Sequence, residues 1–296
     1  MERDQMTPLA ATYRAALTQS ARDALTRRRR PQQLPGNAVV VHGHRISTDQ
    51  VERYGQLFGA VDPQDVPSVL VHVAAFPAAM DLMSDPDFPL PLMGMVHVEN
   101  RVTHHLPVPA ETDLEIMATA TDLVPHPSGT TVDMVVTVHR SAEDGTEPEL
   151  LWEGTSTYLA KGVRLQGADR PAKPDHPEFT APEVTAQWRL SGSTGRDYAA
   201  VSGDYNPIHL HPLTAKALGM KGMIAHGMYL AGRMLAGREP AGAGHTWSIS
   251  FATPVILPGT VQVSYAHPSA QTTEVTGWNG RSGKPHFTGV LEVPAR

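Results

Sequence analysis

Within seven residues, Gly203-Asp204-Tyr205-Asn206-Pro207-Ile208-His209, this sequence gathers a carboxylate, an amide and an imidazole around a proline turn. Seventeen residues after His209 comes His226-Gly227-Met228. A turn of this kind can aim Asp204 and His209 into one cleft, within reach of a single water. That is general acid/base equipment, worth about 10² to 10⁴ in rate. The plain alternative is a turn in which Asp204 caps the next residues and Asn206-Pro207 is an ordinary turn dipeptide. His226-Gly227 opens an apolar run, Met228 to Leu235, where the first N–H groups of a helix have no intrahelical partners. Gly227 would let a ligand carbonyl approach and its N–H could polarise that oxygen, or it could simply be a small residue for helix–sheet packing.

Other chemistry-bearing patterns are weaker. His42-Gly-His44, His104-His105 and His209-Leu-His211 have ligand types but no neighbouring carboxylate in sequence, so they read as loop or strand-face histidines and no metal is expected. No Gly-x-Gly-x-x-Gly follows a strand, and Walker A and Gly-x-Ser-x-Gly patterns are absent. Ser202-Gly203 and Ser191-Gly192-Ser193 are too plain for nucleophiles, and Lys216 and Lys221 read as solvated lysines.

Composition narrows the classes. A chain of 296 residues suits two domains of ordinary size or one large one. With 41% hydrophobic and 18% charged residues and a net charge of −6, it has ample core and no electrostatic reason to bind nucleic acid or an anionic membrane. It contains no cysteine, which excludes disulfides, thiolate metal sites and a cysteine nucleophile, and is consistent with a cytoplasmic location. The charged first thirty residues do not read as a secretory signal, and no window approaches the ~18 apolar residues of a membrane span.

The elements around the motif follow from pattern. Residues 8 to 29 form an amphipathic helix ending in Arg27 to Arg30, read as an appendage (1–36) on the first domain. A helix runs from about Thr48 to Phe58, capped by Ser47 or Thr48 and closed by Gly59. Residues 69 to 83 are apolar on nearly every face despite Pro77, so the helix must be wrapped. The Val- and Thr-rich segments 95–106, 112–122, 130–140 and 149–160 supply the wrapper, with a hairpin turn at Asp144-Gly145. These make a first domain, 37–165. A proline-rich linker, 166–183, precedes a second domain, 184–296. There the order returns: a strand near 184–190, a helix from Ser193 to Ser202, a helix from about Ile224 to Ala236, and strands near 246–253, 260–267, 271–278 and 285–293.

The halves can be superposed as an internal repeat. A shift of 144 places Tyr54, Gly59 and Pro63 on Tyr198, Gly203 and Pro207; a shift of 154 places His72 on His226; a shift of 149 aligns Val98–Pro109 with Trp247–Pro258. In this alignment Ala60 stands opposite Asp204, Asp62 opposite Asn206, Asp65 opposite His209 and Val73 opposite Gly227. The first half keeps a turn and lacks the acid and the imidazole.

Tyr198-Ala-Ala-Val-Ser-Gly-Asp-Tyr-Asn-Pro-Ile-His209 with Ile224-Ala-His-Gly-Met228 resembles the signature of the MaoC-like, (R)-specific enoyl-thioester hydratases, the type 2 hydratases. The whole chain is similar to their double-hotdog members, the 3-hydroxyacyl-thioester dehydratases, which share a phrase like Met93-Gly-Met-Val-His-Val-Glu-Asn100. The resemblance implies an α+β double hotdog: two curved antiparallel sheets, each wrapping a central helix. It implies reversible hydration of trans-2-enoyl thioesters, giving (R)-3-hydroxyacyl products, in fatty-acid metabolism. Asp204 and His209 would be the catalytic pair, Asn206 would orient them, and the Gly227 N–H would hold the thioester oxygen. No cofactor or metal is implied beyond the CoA or acyl-carrier-protein thioester itself. The chain would act as a monomeric pseudo-dimer or a homodimer. A hotdog acyl thioesterase, and a non-catalytic acyl-binding partner subunit, are the alternatives.

Overall fold

In a computed structural model of the chain, residues 1–3, 6–26, 30–59, 61–142, 147–173, 175, 178–241 and 244–295 are described. β1 (Glu2–Arg3) pairs in parallel with β2 (Val39–His44), and α1 (Leu9–Thr26) lies between them in sequence. The first half continues with α2 (Thr48–Phe58), α3 (Ser68–Met83), β3 (Met95–His104), β4 (Leu114–His126), β5 (Gly129–Arg140) and β6 (Glu149–Lys161). The second half has β7 (Ala186–Leu190), α4 (Thr194–Ser202), a 3₁₀ turn over Pro207–His209, α5 (Pro212–Ala217) and α6 (Gly227–Leu235). It closes with β8 (His245–Phe251), β9 (Gly259–Ala266), β10 (Thr272–Trp278) and β11 (Pro285–Glu292).

The strand order is β1-β2-β4-β5-β6-β3-β8-β11-β10-β9-β7. Each half therefore contributes five antiparallel strands in mirrored order, and the halves join where β3 pairs with β8, from Glu99 opposite Ser250 to His104 opposite His245. The two expected sheets are one continuous sheet with a seam. Alternation along β5 shows why the sheet folds over: Val132, Met134, Val136 and Val138 point inward, as period-2 patterning demands. What they cover is α3, buried on nearly all faces and continuous through Pro77. Its one buried carboxylate, Asp81, accepts a hydrogen bond from Arg3 Nη1 at 2.8 Å. The N-terminal segment thereby neutralises a charge inside the wrapped helix.

Local signals behave as their chemistry requires. Ser47 caps α2 through a capping box with Gln50. Gly59 ends the helix at φ 119°, a conformation side chains resist. The hairpin turn at Asp144-Gly145, Ala60 and the arginines 27–29 lie outside the described residues.

The repeat needs correction in register. Val66 N–H donates to Val108 O, and Ala110 N–H to Gln64 O. The second half reproduces this with Ala225 N–H to Val255 O and Leu257 N–H to Met223 O. This register puts Pro67-Ser68, not His72-Val73, opposite His226-Gly227, and puts Asp65 opposite Ile224 rather than His209. From Gly59 to the start of α3 is 9 residues, whereas from Gly203 to the start of α6 is 24. The first half thus lacks not only the acid and the imidazole but the segment holding the 3₁₀ turn and α5. The sequence shifts failed here because a length difference fell inside the compared stretch.

Candidate active site

Asp204 follows the left-handed C-cap glycine of α4, Gly203, at φ 70°, the usual way to end a helix sharply. Asn206 then starts the 3₁₀ turn: its Oδ1 accepts from Ile208 N–H at 3.4 Å, while its own N–H donates to Asp204 Oδ1 at 3.1 Å. Asn206 is the joint that fixes the acid on one side and the turn carrying His209 on the other. The turn is held from outside by Thr214 Oγ1, which donates to Pro207 O at 2.8 Å, and by Ile224 N–H, which donates to Ile208 O. α4 passes so close that a Cβ on Gly195 would stand 2.1 Å from His209 O, so only glycine is tolerated there.

His209 is buried, and its Nδ1 lies 2.7 Å from Ile224 O. A carbonyl can only accept, so Nδ1 carries the proton and Nε2 keeps its lone pair for a reacting group. Burial pulls the His209 pKa below its ordinary value against the opposing pull of Asp204 and the Ile224 carbonyl. That leaves a neutral, base-competent imidazole at pH 7.

Two further groups complete the site. His226, the N-cap residue of α6, stacks on His209 with ring centroids 3.6 Å apart and sends Nε2–H to the backbone carbonyl of Asp204 at 3.0 Å. Burial, and then the neighbouring His209, push its pKa down to about 3, so its 3.9 Å approach to Asp204 Oδ2 is not an ion pair. Tyr13, on α1, donates its hydroxyl to Asp204 Oδ1 at 2.9 Å across 191 residues of chain. Burial, and then the charge of Asp204, raise the Tyr13 hydroxyl well above its ordinary pKa, and Tyr158 and Tyr198 are raised by the same two causes. Asp204 thus holds one neutral phenol in direct contact and acts on two more through its charge. The helix read as an appendage on the first domain reaches the motif of the second.

Gly227 begins α6, so its N–H has no partner one turn back. A Cβ there would meet the Phe251 ring of β8 at 2.8 Å, which makes the packing reason for this glycine concrete. The first-half counterpart differs. Ser68 N–H donates to Glu239 Oε2 at 2.8 Å, and Ser68 Oγ accepts from the indoles of Trp152 and Trp247. Its helix start is already filled.

Asp204, His209 and His226 each offer a ligand atom within 4.8 Å of the others, a spacing that a cation could also use. Each imidazole, however, spends one nitrogen on a backbone carbonyl, and the free Nε2 of His209 beside an acid is what proton transfer requires. Asp204, Asn206, His209 and Gly227, the four residues singled out in the sequence, all meet here. His226 was missed, standing in the motif only as the frame for Gly227. Tyr13 was missed as well, because a lone tyrosine in a distant helix gives no signal.

A sheet folded over a helix in two mirrored halves, with an acid and an imidazole at the head of the second helix, is the double-hotdog architecture that the sequence resemblance implied. The sequence model of the MaoC-like domain matches residues 176–286. The 3-hydroxyacyl-thioester dehydratase X of Mycobacterium tuberculosis is 31% identical over 277 residues, covering 93% of this chain and 96% of the relative. The crystal structure of HtdX from the same organism superposes with a TM-score of 0.73 at 29% identity, covering 87% of this chain and all of that one. A MaoC-like dehydratase from Phytophthora capsici shares the fold at 17% identity, with a TM-score of 0.67 over 89% of this chain and 96% of the other. The chain belongs to the MaoC-like 3-hydroxyacyl-thioester dehydratase family. Among the described residues, no helix is long and apolar enough to cross a membrane.

Proposed function

We propose that this chain adds water reversibly to trans-2-enoyl thioesters of CoA or acyl-carrier protein, with Asp204 and His209 as the catalytic pair. The observation that supports this most is the tautomer of His209: Nδ1–H is tied to Ile224 O, so Nε2 faces the reacting group as a base. In the dehydration direction His209 Nε2 removes the C2 proton, and the carbonyl oxygen takes up charge against the Gly227 N–H. The enolate then collapses to the C2=C3 double bond as the C3–O bond breaks. The proton held by His209 passes to the departing hydroxide, giving water and restoring the neutral imidazole. Asp204 keeps the hydroxyl on the same face throughout by accepting its hydrogen bond, and Asn206 and Tyr13 keep the carboxylate in place. The reading calls for no metal or redox cofactor and places one active site on each chain, in a cytoplasmic protein.

Incubation with crotonyl-CoA tests this. Loss of enoyl absorbance without release of free thiol is the expected result. Thiol release would instead mean hydrolysis by a hotdog thioesterase, and no change in either signal would favour a non-catalytic acyl-binding subunit.

A further inference from the structure

At the opposite end of the seam from Phe251, the last residue of β3 and the first of β8 bring two imidazoles together. His104 and His245 are register partners with ring centroids 4.9 Å apart. Gly244 makes the approach feasible, since a Cβ there would lie 2.6 Å from His105 O. Glu239, from the segment after α6, places Oε2 3.8 Å from His245 Nε2. One donor atom of each of the three lies within 4.8 Å of those of the other two. A cavity of about 210 Å³ opens on them, walled by Tyr54, Phe58 and Asp65. It occupies the first-half position that corresponds to the catalytic cleft.

His104 is the informative member. It is 5% exposed, and neither ring nitrogen has a hydrogen-bond partner among the described residues. Against burial, which lowers the ring pKa, the Leu106 carbonyl pulls it up but does not reach hydrogen-bond geometry with either nitrogen. A buried imidazole with both nitrogens unmet is costly, and such groups are normally satisfied. Glu239 Oε2, the oxygen facing His245, also accepts from Ser68 N–H at 2.8 Å, which fixes the carboxylate in place.

We propose that His104, His245 and Glu239 form a binding site for a divalent transition-metal ion of the zinc class, with a fourth position open to the cavity. Two imidazoles and a carboxylate with one open position is a donor set that zinc accepts. Tetrahedral zinc holds its donors roughly 3.4 Å apart, close to the 3.8 Å that already separates Glu239 Oε2 from His245 Nε2. The ion clamps the end of β3 to the start of β8 and thereby the two halves.

The test uses untagged full-length protein stripped with a chelator and titrated with Co²⁺, followed by its visible absorption, and with Zn²⁺, followed by bound metal after gel filtration. One equivalent per chain is expected, with affinity falling roughly 100-fold in His104→Ala and in Glu239→Gln and unchanged in His209→Ala. X-ray absorption of the zinc-loaded wild type, independent of whether the variants fold, is expected to show two imidazoles in the coordination shell. Absence of stoichiometric binding, survival of binding in His104→Ala, loss in His209→Ala, or a shell without two imidazoles overturns the proposal.

Discussion

Replacing Gly227 by alanine adds one methyl group at the place where the head of α6 meets β8. The new Cβ would stand 2.8 Å from Phe251 Cζ and 3.1 Å from Cε1 and Cε2, where ordinary contact begins near 3.4 Å. It would meet a whole ring rather than the tip of a flexible chain, and that ring also leans on His97 at a centroid distance of 5.4 Å. Overpacking of this kind costs about 1–3 kcal/mol. Alanine returns part of this, up to about 1 kcal/mol, by stiffening the unfolded chain. The net loss is about 1–2 kcal/mol, or roughly 2–3 °C in Tm at this chain length. The larger consequence is positional. The helix start must move off the ring, carrying the Gly227 N–H and the His226 ring with it, and a displacement of about 1 Å costs about 10²-fold in rate. Phe251→Leu in the same chain removes the obstruction while the N–H at 227 remains. Crotonyl-CoA hydration and thermal unfolding of Gly227→Ala, Phe251→Leu and the double variant measure both effects. The double variant is expected to regain at least tenfold of the lost kcat. A fully active single variant, or a double variant no better than Gly227→Ala, would refute the reasoning.

Tyr13→Phe deletes the phenol that steadies Asp204 and is expected to lower kcat about fivefold, the value of one hydrogen bond of ~1 kcal/mol; a rise in kcat would mean that α1 obstructs the site instead. Because burial lowers the His209 pKa, the acid limb of the kcat profile is expected below about pH 6.5, with a plateau above it, and a limb above pH 7 would contradict a neutral His209 base. Other histidines are depressed as well, among them His72 and His226 to about 3 and His97 to about 4, in each case chiefly by burial. The unfolded chain therefore binds more protons than the native one. Stability is complete above about pH 6.5 and is lost progressively as pH falls toward about 4 and 3. Tm measured at pH 7.5 and 5.0 should drop, and a flat result would show that these rings are hydrated.

Much of the fold was legible because its signals are local. The unbroken apolarity of Val69 to Met83 demanded a wrapped helix, and alternation in 130–140 supplied a wrapping strand. Asp204 and His209 were legible for the same reason, since Asn206 and Pro207 fix them through contacts spanning only a few residues. What stayed hidden depends on distant pairing. Nothing near Tyr13 in the sequence says that α1 folds across to Asp204, and nothing near Gly227 names Phe251. The seam between β3 and β8, which makes one sheet from two, is a long-range pairing without a turn to announce it. The repeat was visible, but its register at the helix starts was not, because backbone bonds such as Val66 to Val108 and Ala225 to Val255 define it.

The central claim is that His209 moves the proton while Asp204 holds the hydroxyl it acts on. The most direct measurement is kcat for crotonyl-CoA hydration by His209→Ala and Asp204→Asn, with circular dichroism and Tm verifying that both fold and chiral analysis of the wild-type product. The account predicts (R)-3-hydroxybutyryl-CoA from the wild type and a loss of about 10² or more in each folded variant. Near-native hydration by both folded variants would contradict it.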